Sequence, residues 1–232
     1  MKKNKLILIF LLVSMLTNAQ DNGSFIILKA SFGGIKNSSF HKYTPPFKAK
    51  IIYKDTLQAV NKYPEQLMSS VMSENSEAWH NYNNSKAIEP LTEGKPRFKK
   101  VKKLNKDKNY FELLHKLEFT SEGIQYAIIK FNLVLEENNK PFQGAYLLVK
   151  NNERWYRTSK SQFFSLTLLN MFFKTNRLEE IFFDIKNENL LLDDLRKKIT
   201  NNDVIDLQKL IDEFNSWYKN KDTEKIEFFT NK

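Results

Sequence analysis

The side chains that could carry catalysis are few in this chain of 232 residues. It has three histidines, His41, His80 and His115, and no cysteine. It contains neither a G-x-S-x-G nucleophile elbow nor an H-E-x-x-H zinc motif. Thiol chemistry is therefore excluded, and we expect neither a metal site nor a cofactor. General acid–base chemistry by a histidine is the reaction type that these residues best support.

His115 is the strongest candidate for that role. It lies in "YFELLHKLEF", residues 110–119, whose alternation predicts a β-strand. The face that should contain His115 is otherwise apolar and consists of Phe111, Leu113, Leu117 and Phe119. In a curved sheet, such a face would line a pocket in which burial lowers the histidine pKa and keeps it neutral, as a general base requires. The alternative is a core histidine whose two nitrogens are satisfied by a tyrosine hydroxyl or a backbone group.

A dense run of lysines is the strongest local charge signal. It lies in a segment without periodicity, residues 89–108, which we interpret as a loop or linker. Lysines at this density can release counterions from a polyanion. The candidate anion-binding residues are Lys99, Lys100, Lys102, Lys103 and Lys106. The alternative is a solvated loop without a binding role.

The N-terminus has the three-part layout of a secretory signal peptide. Three lysines precede an apolar run, Leu6 to Leu16, and a small-residue stretch that ends at Ala19. The run has about half of the roughly twenty residues that a membrane span needs, which favours cleavage after Ala19 or Gln20 over anchoring. We therefore expect a periplasmic or extracellular protein without a membrane span, and we do not expect nucleic acid as its partner. Removal of three lysines from a chain with net charge +10 leaves +7.

Four runs of period two follow the lysine segment and predict an antiparallel meander. They are 110–119, 124–135, 143–150 and 154–159, joined by the turn sequences "TSEG", "EENNKP" and "NNE". A fifth strand is expected over 163–173, where apolar residues first alternate and then become continuous.

The rest of the chain is predicted to be mainly helical. Residues 64–82 indicate one or two amphipathic helices, and residues 176–232 contain three apolar stripes at helical spacing. Residues 24–35 predict a strand ended by two glycines, and the Ser-, Asn- and Pro-containing residues 36–47 predict a loop. The expected fold is α+β, with helices packed on a curved antiparallel meander of four to five strands and a C-terminal helical extension. The expected organisation is a signal peptide (1–20), an α+β domain (21–174) and the extension (175–232).

The helical stretch 64–82, the strands between 110 and 149, and the closing "NNERWYRTS" resemble the NTF2-like superfamily. The resemblance implies a sheet that curls around its helices to form a cone with an apolar pocket. Some members are isomerases or dehydratases with an Asp or His base in this pocket, and many only bind ligands or partners. His115 is the residue that the resemblance would place there. No aspartate matches on the same face, and the chain after Asn176 exceeds what a cone needs.

These features favour a non-catalytic ligand- or partner-binding protein of the cell envelope. A small apolar ligand or an anionic envelope polymer would be the partner. One alternative is a pocket enzyme of the lyase or isomerase type with His115 as base. Another is a binder of anionic polymers through the lysine-rich loop.

Cleavage of the N-terminus is directly testable. Expression in a bacterial host should give an exported protein whose intact mass and first residues correspond to a start at Gln20 or Asp21. Substitution of Leu8 and Leu11 by Glu should prevent export because it interrupts the apolar run. An exported protein that retains residues 1–20 would contradict the prediction.

Overall fold

The computed structural model of the protein describes residues 24–26, 35–92, 98, 105–182, 193–194 and 197. Its centre is one six-stranded antiparallel sheet in which neighbours in space are also neighbours in the chain. The strands are β1 (Ser24–Ile26), β2 (Ile35–Lys50), β3 (Tyr110–Ser121), β4 (Ile124–Val134), β5 (Phe142–Asn151) and β6 (Arg154–Arg157). The predicted α+β fold and its four-strand meander, β3 to β6, are confirmed.

Two of the connections are two-residue turns with positive φ at both positions. Glu122 and Gly123 join β3 to β4, with φ of 53° and 77°, and Asn152 and Glu153 join β5 to β6, with φ of 47° and 63°. Turns of this kind match the right-handed twist of the paired strands. They fix the register of both hairpins.

The segment 36–47, predicted as a loop, is instead most of β2, so that prediction is wrong. β2 pairs with β3 along nearly its whole length. The pairing is irregular between Lys42 and Phe47, the interval that contains Pro45 and Pro46. Proline lacks the N–H that a regular ladder needs and is tolerated at such irregularities. The side chains of β2 that are buried in the core include Ile35, Phe40, Tyr43 and Ala49.

The predicted helical stretch 64–82 is confirmed as two helices, α1 (Pro64–Ser73) and α2 (Glu77–Tyr82). Proline is favourable in a first helical turn because its missing N–H would be unpaired there. Ser76 begins α2 as its N-cap: its side-chain oxygen accepts a hydrogen bond from the Trp79 N–H at 3.3 Å.

The predicted fifth strand is wrong, because these residues form a short 3₁₀ turn (Ser161–Phe163) followed by helix α3 (Phe164–Phe172). Its buried apolar side chains are Phe163, Leu166, Leu169 and Phe173, which recur every three or four residues. A nearly continuous apolar run satisfies periods of both two and 3.6 residues. The spacing of the buried positions shows which period the fold uses.

A fourth helix, α4 (Thr175–Phe182), agrees with the first of the three predicted C-terminal helices. Its residues Leu178, Ile181 and Phe182 are buried in the same core as α3. This part of the predicted extension therefore packs with the residues of the α+β domain. The other two predicted helices lie outside the described residues, apart from residues 193–194 and 197.

The sheet is covered by helices on both faces. Helix α1 packs against β2, β3 and β6, whereas α3 packs against β4 and β5, and α4 against β2. Each face has its own cluster of buried apolar residues. The α1-face core includes Leu67, Met68, Phe111, Leu113 and Phe131. The α3-face core includes Phe40, Leu117, Phe119, Leu166 and Leu169. Within the described residues, no helix has the length and apolar character needed to cross a membrane.

Candidate functional site

A β-bulge in β3 decides which core His115 enters. Leu113 pairs with Phe131 of β4, but His115 pairs with Lys130, so β3 has one extra residue at Leu114. A bulge of one residue exchanges the faces on which the following side chains lie. The prediction that His115 shares a face with Leu113 is therefore wrong.

The two cores confirm this exchange. Phe111 and Leu113 belong to the α1-face core, and Leu117 and Phe119 belong to the α3-face core. His115 lies among the residues of the α3-face core. The prediction that His115 shares a face with Leu117 and Phe119 is therefore correct.

His115 is fully buried, and both of its ring nitrogens have partners. Nδ1 lies 3.0 Å from the Thr175 hydroxyl, and Nε2 lies 3.2 Å from Oδ1 of Asn170. The Asn170 amide donates to the Leu166 carbonyl at 2.8 Å, which orients its oxygen towards His115. An amide oxygen only accepts, so Nε2 carries the proton and Nδ1 accepts from the Thr175 hydroxyl. The partners differ from the expected tyrosine or backbone group, but they satisfy the ring in the same way.

Lys130 lies directly opposite His115 on β4 and is also fully buried. Its ammonium donates a hydrogen bond to the backbone carbonyl of Phe173, at the end of α3. Among the described residues, no carboxylate forms an ion pair with it. Burial lowers the pKa of Lys130 to about 7.

The pKa of His115 is also lowered, well below its ordinary value. The main cause is burial, and the second is the nearby charge of Lys130; the hydrogen bond to Asn170 acts in the opposite direction. His115 is therefore neutral at pH 7. The site thus combines a neutral imidazole with an amine whose pKa burial lowers to about 7.

The buried cations on the opposite face of the sheet have carboxylate partners. Lys116 Nζ lies 2.8 Å from Oε1 of Glu65 and 3.3 Å from Oε1 of Glu118. Burial acts to raise the pKa of Glu65, but the Lys116 ammonium and the hydrogen bonds that this carboxylate accepts hold it below its ordinary value. The Tyr43 hydroxyl is one of those donors. The charge of Lys116 is therefore compensated, whereas no carboxylate in the described part of the chain compensates Lys130.

A second polar cluster joins α1 and α2 to β6. Arg157 Nη2 lies 2.7 Å from Oε1 of Glu74, whose other oxygen lies 2.8 Å from His80 Nδ1. Asn83 donates to the same Glu74 Oε1 at 3.0 Å, and Arg157 Nε donates to Asn84 at 2.8 Å. These groups hold the end of α1, helix α2 and the last strand together, which is a structural role.

The other predicted site residues are only partly described. Lys106 is exposed in a turn before β3. Lys99, Lys100, Lys102 and Lys103 lie outside the described residues. Among those that are described, no group of three or more metal-ligating side chains occurs.

Sequence reasoning missed Lys130, Asn170 and Thr175 as members of the site. A signal for Lys130 was present, because "IIKF" places a lysine between apolar neighbours in the middle of a strand. No comparable signal marks Asn170 and Thr175, since their role depends on α3 being a helix.

Replacement of the two buried lysines should have opposite effects on stability. Lys130→Met should raise the free energy of unfolding at pH 7 by roughly 1–3 kcal/mol, because it removes a buried amine without a counter-charge. Lys116→Met should lower it by about 3 kcal/mol, because it leaves Glu65 buried without its cation. Urea denaturation of both variants measures the difference. Equal destabilisation by the two substitutions would show that Lys130 is compensated as Lys116 is.

The stability difference between wild type and Lys130→Met should depend on pH. Between about 7 and the unfolded value of 10.5, the amine is neutral in the folded protein and protonated in the unfolded chain. The unfolded state then binds more protons, so the folded wild type gains stability as pH rises. The advantage of Lys130→Met should decrease by about 1.4 kcal/mol per pH unit over this interval. A difference that is constant from pH 7 to pH 10 would contradict the low pKa.

Comparisons of the chain with protein-family models, with curated proteins and with solved structures give no match in any of the three. The NTF2-like resemblance therefore stays a prediction. The site must be interpreted from its own residues.

Proposed function

We propose that the protein is an exported, non-catalytic binding protein of the cell envelope that holds a small apolar ligand with an anionic head group at Lys130. The supporting observation is that Lys130 is a fully buried lysine whose amine has no carboxylate partner among the described residues. A buried charge of this kind is costly unless it is paired. The carboxylate of a ligand would supply the missing partner.

The hydrogen-bonding capacity of Lys130 is compatible with this role. A lysine ammonium has three N–H donors, and the Phe173 carbonyl uses one of them. Two donors remain for the two oxygens of a carboxylate. The carboxylate would therefore add to the existing contact without replacing it.

The surroundings of Lys130 favour a ligand whose remaining part is hydrocarbon. The neighbouring core contains Phe40, Leu117, Ile128, Phe173 and Phe182. On the other side of Lys130, the cross-strand neighbour on β5 is Ala145, whose small side chain occupies little space. An apolar lining with a few polar groups that fix orientation is typical of small-molecule sites. A fatty acid of medium length has the corresponding chemistry.

The state of His115 supports binding over catalysis. Its acceptor nitrogen, Nδ1, already receives the Thr175 hydroxyl, and its other nitrogen donates to Asn170. A general base needs a lone pair that can reach a substrate proton. In this arrangement, His115 instead helps to fix the end of α3 and the start of α4 above Lys130.

Binding of decanoate tests the proposal. At pH 6.5 and a concentration about 100 times the dissociation constant, decanoate should raise the thermal midpoint of the wild type by roughly 5–10 °C. Lys130→Met should lose this shift, whatever its own midpoint is. Above pH 7, the apparent affinity should fall about tenfold per pH unit, because the amine must be protonated to pair with the carboxylate. Differential scanning fluorimetry and calorimetric titration provide the measurements.

Two controls separate the head group from the tail and from net charge. Decanol has the same length of chain without the anion and should give little shift. Lys140→Met removes an exposed lysine from the β4–β5 connection and should bind decanoate as the wild type does. Equal binding of decanoate by Lys130→Met and wild type would exclude Lys130 as the binding residue.

The pocket-enzyme alternative is favoured by one observation, the neutral state of His115 at pH 7. It requires Thr175 to release Nδ1 when a substrate binds. Thr175→Val would then leave the lone pair of Nδ1 free and should increase the activity of a lyase or isomerase. The binding function proposed above predicts no such activity in either protein.

The polyanion alternative is supported by the net charge of +7 that remains without residues 1–20 and by the exposure of Lys106. It predicts retention on a heparin column that decreases with salt, because lysines release counterions from the polymer. Reversal of Lys99, Lys100, Lys102, Lys103 and Lys106 to Glu should abolish the retention. Unchanged retention of that variant would refute a role for the run.

A further inference from the structure

We infer that the β2–α1 loop, residues 51–63, docks the protein on an anionic lipid surface. The loop exposes four apolar side chains within twelve residues. They are Ile52 at 60%, Leu57 at 88%, Val60 at 46% and Tyr63 at 51% exposure. Single exposed apolar side chains are ordinary, but a group in one connection marks a surface that meets something apolar.

The loop is held in place by hydrogen bonds, so this exposure is built into the fold. The Lys54 N–H donates to Oε1 of Gln58 at 3.0 Å, and the Gln58 N–H donates to Oδ1 of Asp55 at 3.1 Å. The Tyr53 N–H donates to the Ser73 hydroxyl of α1 at 3.3 Å. These hydrogen bonds fix the conformation of the loop tip and connect the loop to α1.

The second half of the loop is anchored by alternate residues. Ala59 and Asn61 are fully buried. The Asn61 carbonyl accepts from the Trp155 N–H at 2.9 Å, and the Ala59 carbonyl accepts from the Tyr82 hydroxyl at 3.3 Å. Val60 lies between these two anchors and is turned to solvent. A surface fixed in this way loses little conformational entropy when it binds.

The charges in and beside the loop favour a lipid surface over a protein surface. Lys54 and Lys62 are exposed, and no carboxylate of the described residues forms an ion pair with either. Asp55, the acidic residue of the loop, uses its carboxylate as the acceptor for Gln58. Lysine is depleted in protein interfaces. Apolar side chains flanked by lysines are instead typical of segments that enter the boundary between acyl chains and anionic head groups.

This surface is independent of the proposed ligand site. The loop leads into α1 and is hydrogen-bonded to Ser73 of α1, Tyr82 of α2 and Trp155 of β6. Helix α1 and the Trp155 side chain belong to the α1-face core. Lys130 and His115 belong to the other side, with α3 and α4. Failure of either proposal therefore leaves the other intact.

Co-sedimentation with lipid vesicles tests the inference. The exported protein, purified after processing, should bind vesicles made of equal parts of phosphatidylglycerol and phosphatidylcholine. Its affinity for vesicles of pure phosphatidylcholine should be at least fivefold lower. Leu57→Ser combined with Ile52→Ser should weaken binding to the anionic vesicles by at least tenfold, because two apolar side chains no longer enter the acyl region. Phe164→Ser is the matched control, since Phe164 is 60% exposed at the start of α3. It should bind as the wild type does.

Three results would overturn the inference. They are absence of binding to any vesicle, equal binding to the neutral and anionic vesicles, and unchanged binding of the Leu57→Ser, Ile52→Ser variant. The last result would assign vesicle binding to another part of the chain. Circular dichroism of each variant confirms that a loss of binding does not reflect loss of the fold.

Discussion

A single extra residue in β3 determines which of the two cores its following side chains enter. Before the bulge at Leu114, the inward-facing side chains of β3 pack against α1. After it, Leu117 and Phe119 pack against α3 and α4, and His115 lies with them. Helices cover both faces of the sheet. The side chains of β3 therefore point to a covered face both before and after the bulge. The position of the bulge therefore brings His115 and Lys130 together under α3.

The two faces deal with buried charge in different ways. On the α1 face, Lys116 and Arg157 are compensated by Glu65 and Glu74, which are contributed by α1 and the residue that follows it. On the α3 face, Lys130 has a backbone carbonyl as its partner. The first arrangement links helices to strands through complete ion pairs. In the second, no carboxylate of the described residues compensates the buried amine, an arrangement that reduces stability and is frequent at sites that bind or react.

The parts of the fold that sequence predicted correctly depend on short-range signals. Strands β3 to β6 have period-two patterns and turn residues, and the two helices from Pro64 to Tyr82 have a favourable first residue and a cap at Ser76. Such features act over a few residues, so they are readable without knowledge of the rest of the chain.

The parts that were missed depend on long-range pairing. Residues 36–47 have the composition of a loop, and only pairing with β3 makes them a strand. The continuous apolar run at α3 does not distinguish helix from strand. The bulge at Leu114 is visible only from the register with β4, so the sequence predicts the burial of His115 and its face with Leu117 and Phe119 but wrongly adds Phe111 and Leu113 to that face. The candidacy of Lys130 depends on the folded structure, in which none of the described carboxylates pairs with its amine.

The order of strands has a consequence for how the sheet forms. The hairpins β3–β4 and β5–β6 close over two residues each, whereas β2 meets β3 only after residues 51–109 have been looped out. The chain entropy lost in closing that long loop exceeds the loss for a two-residue turn by roughly 3 kcal/mol. Local pairings generally form before distant ones. The strands from β3 onwards therefore provide a template on which β2 docks late, and the rate of folding should depend on the length of the segment that carries α1 and α2.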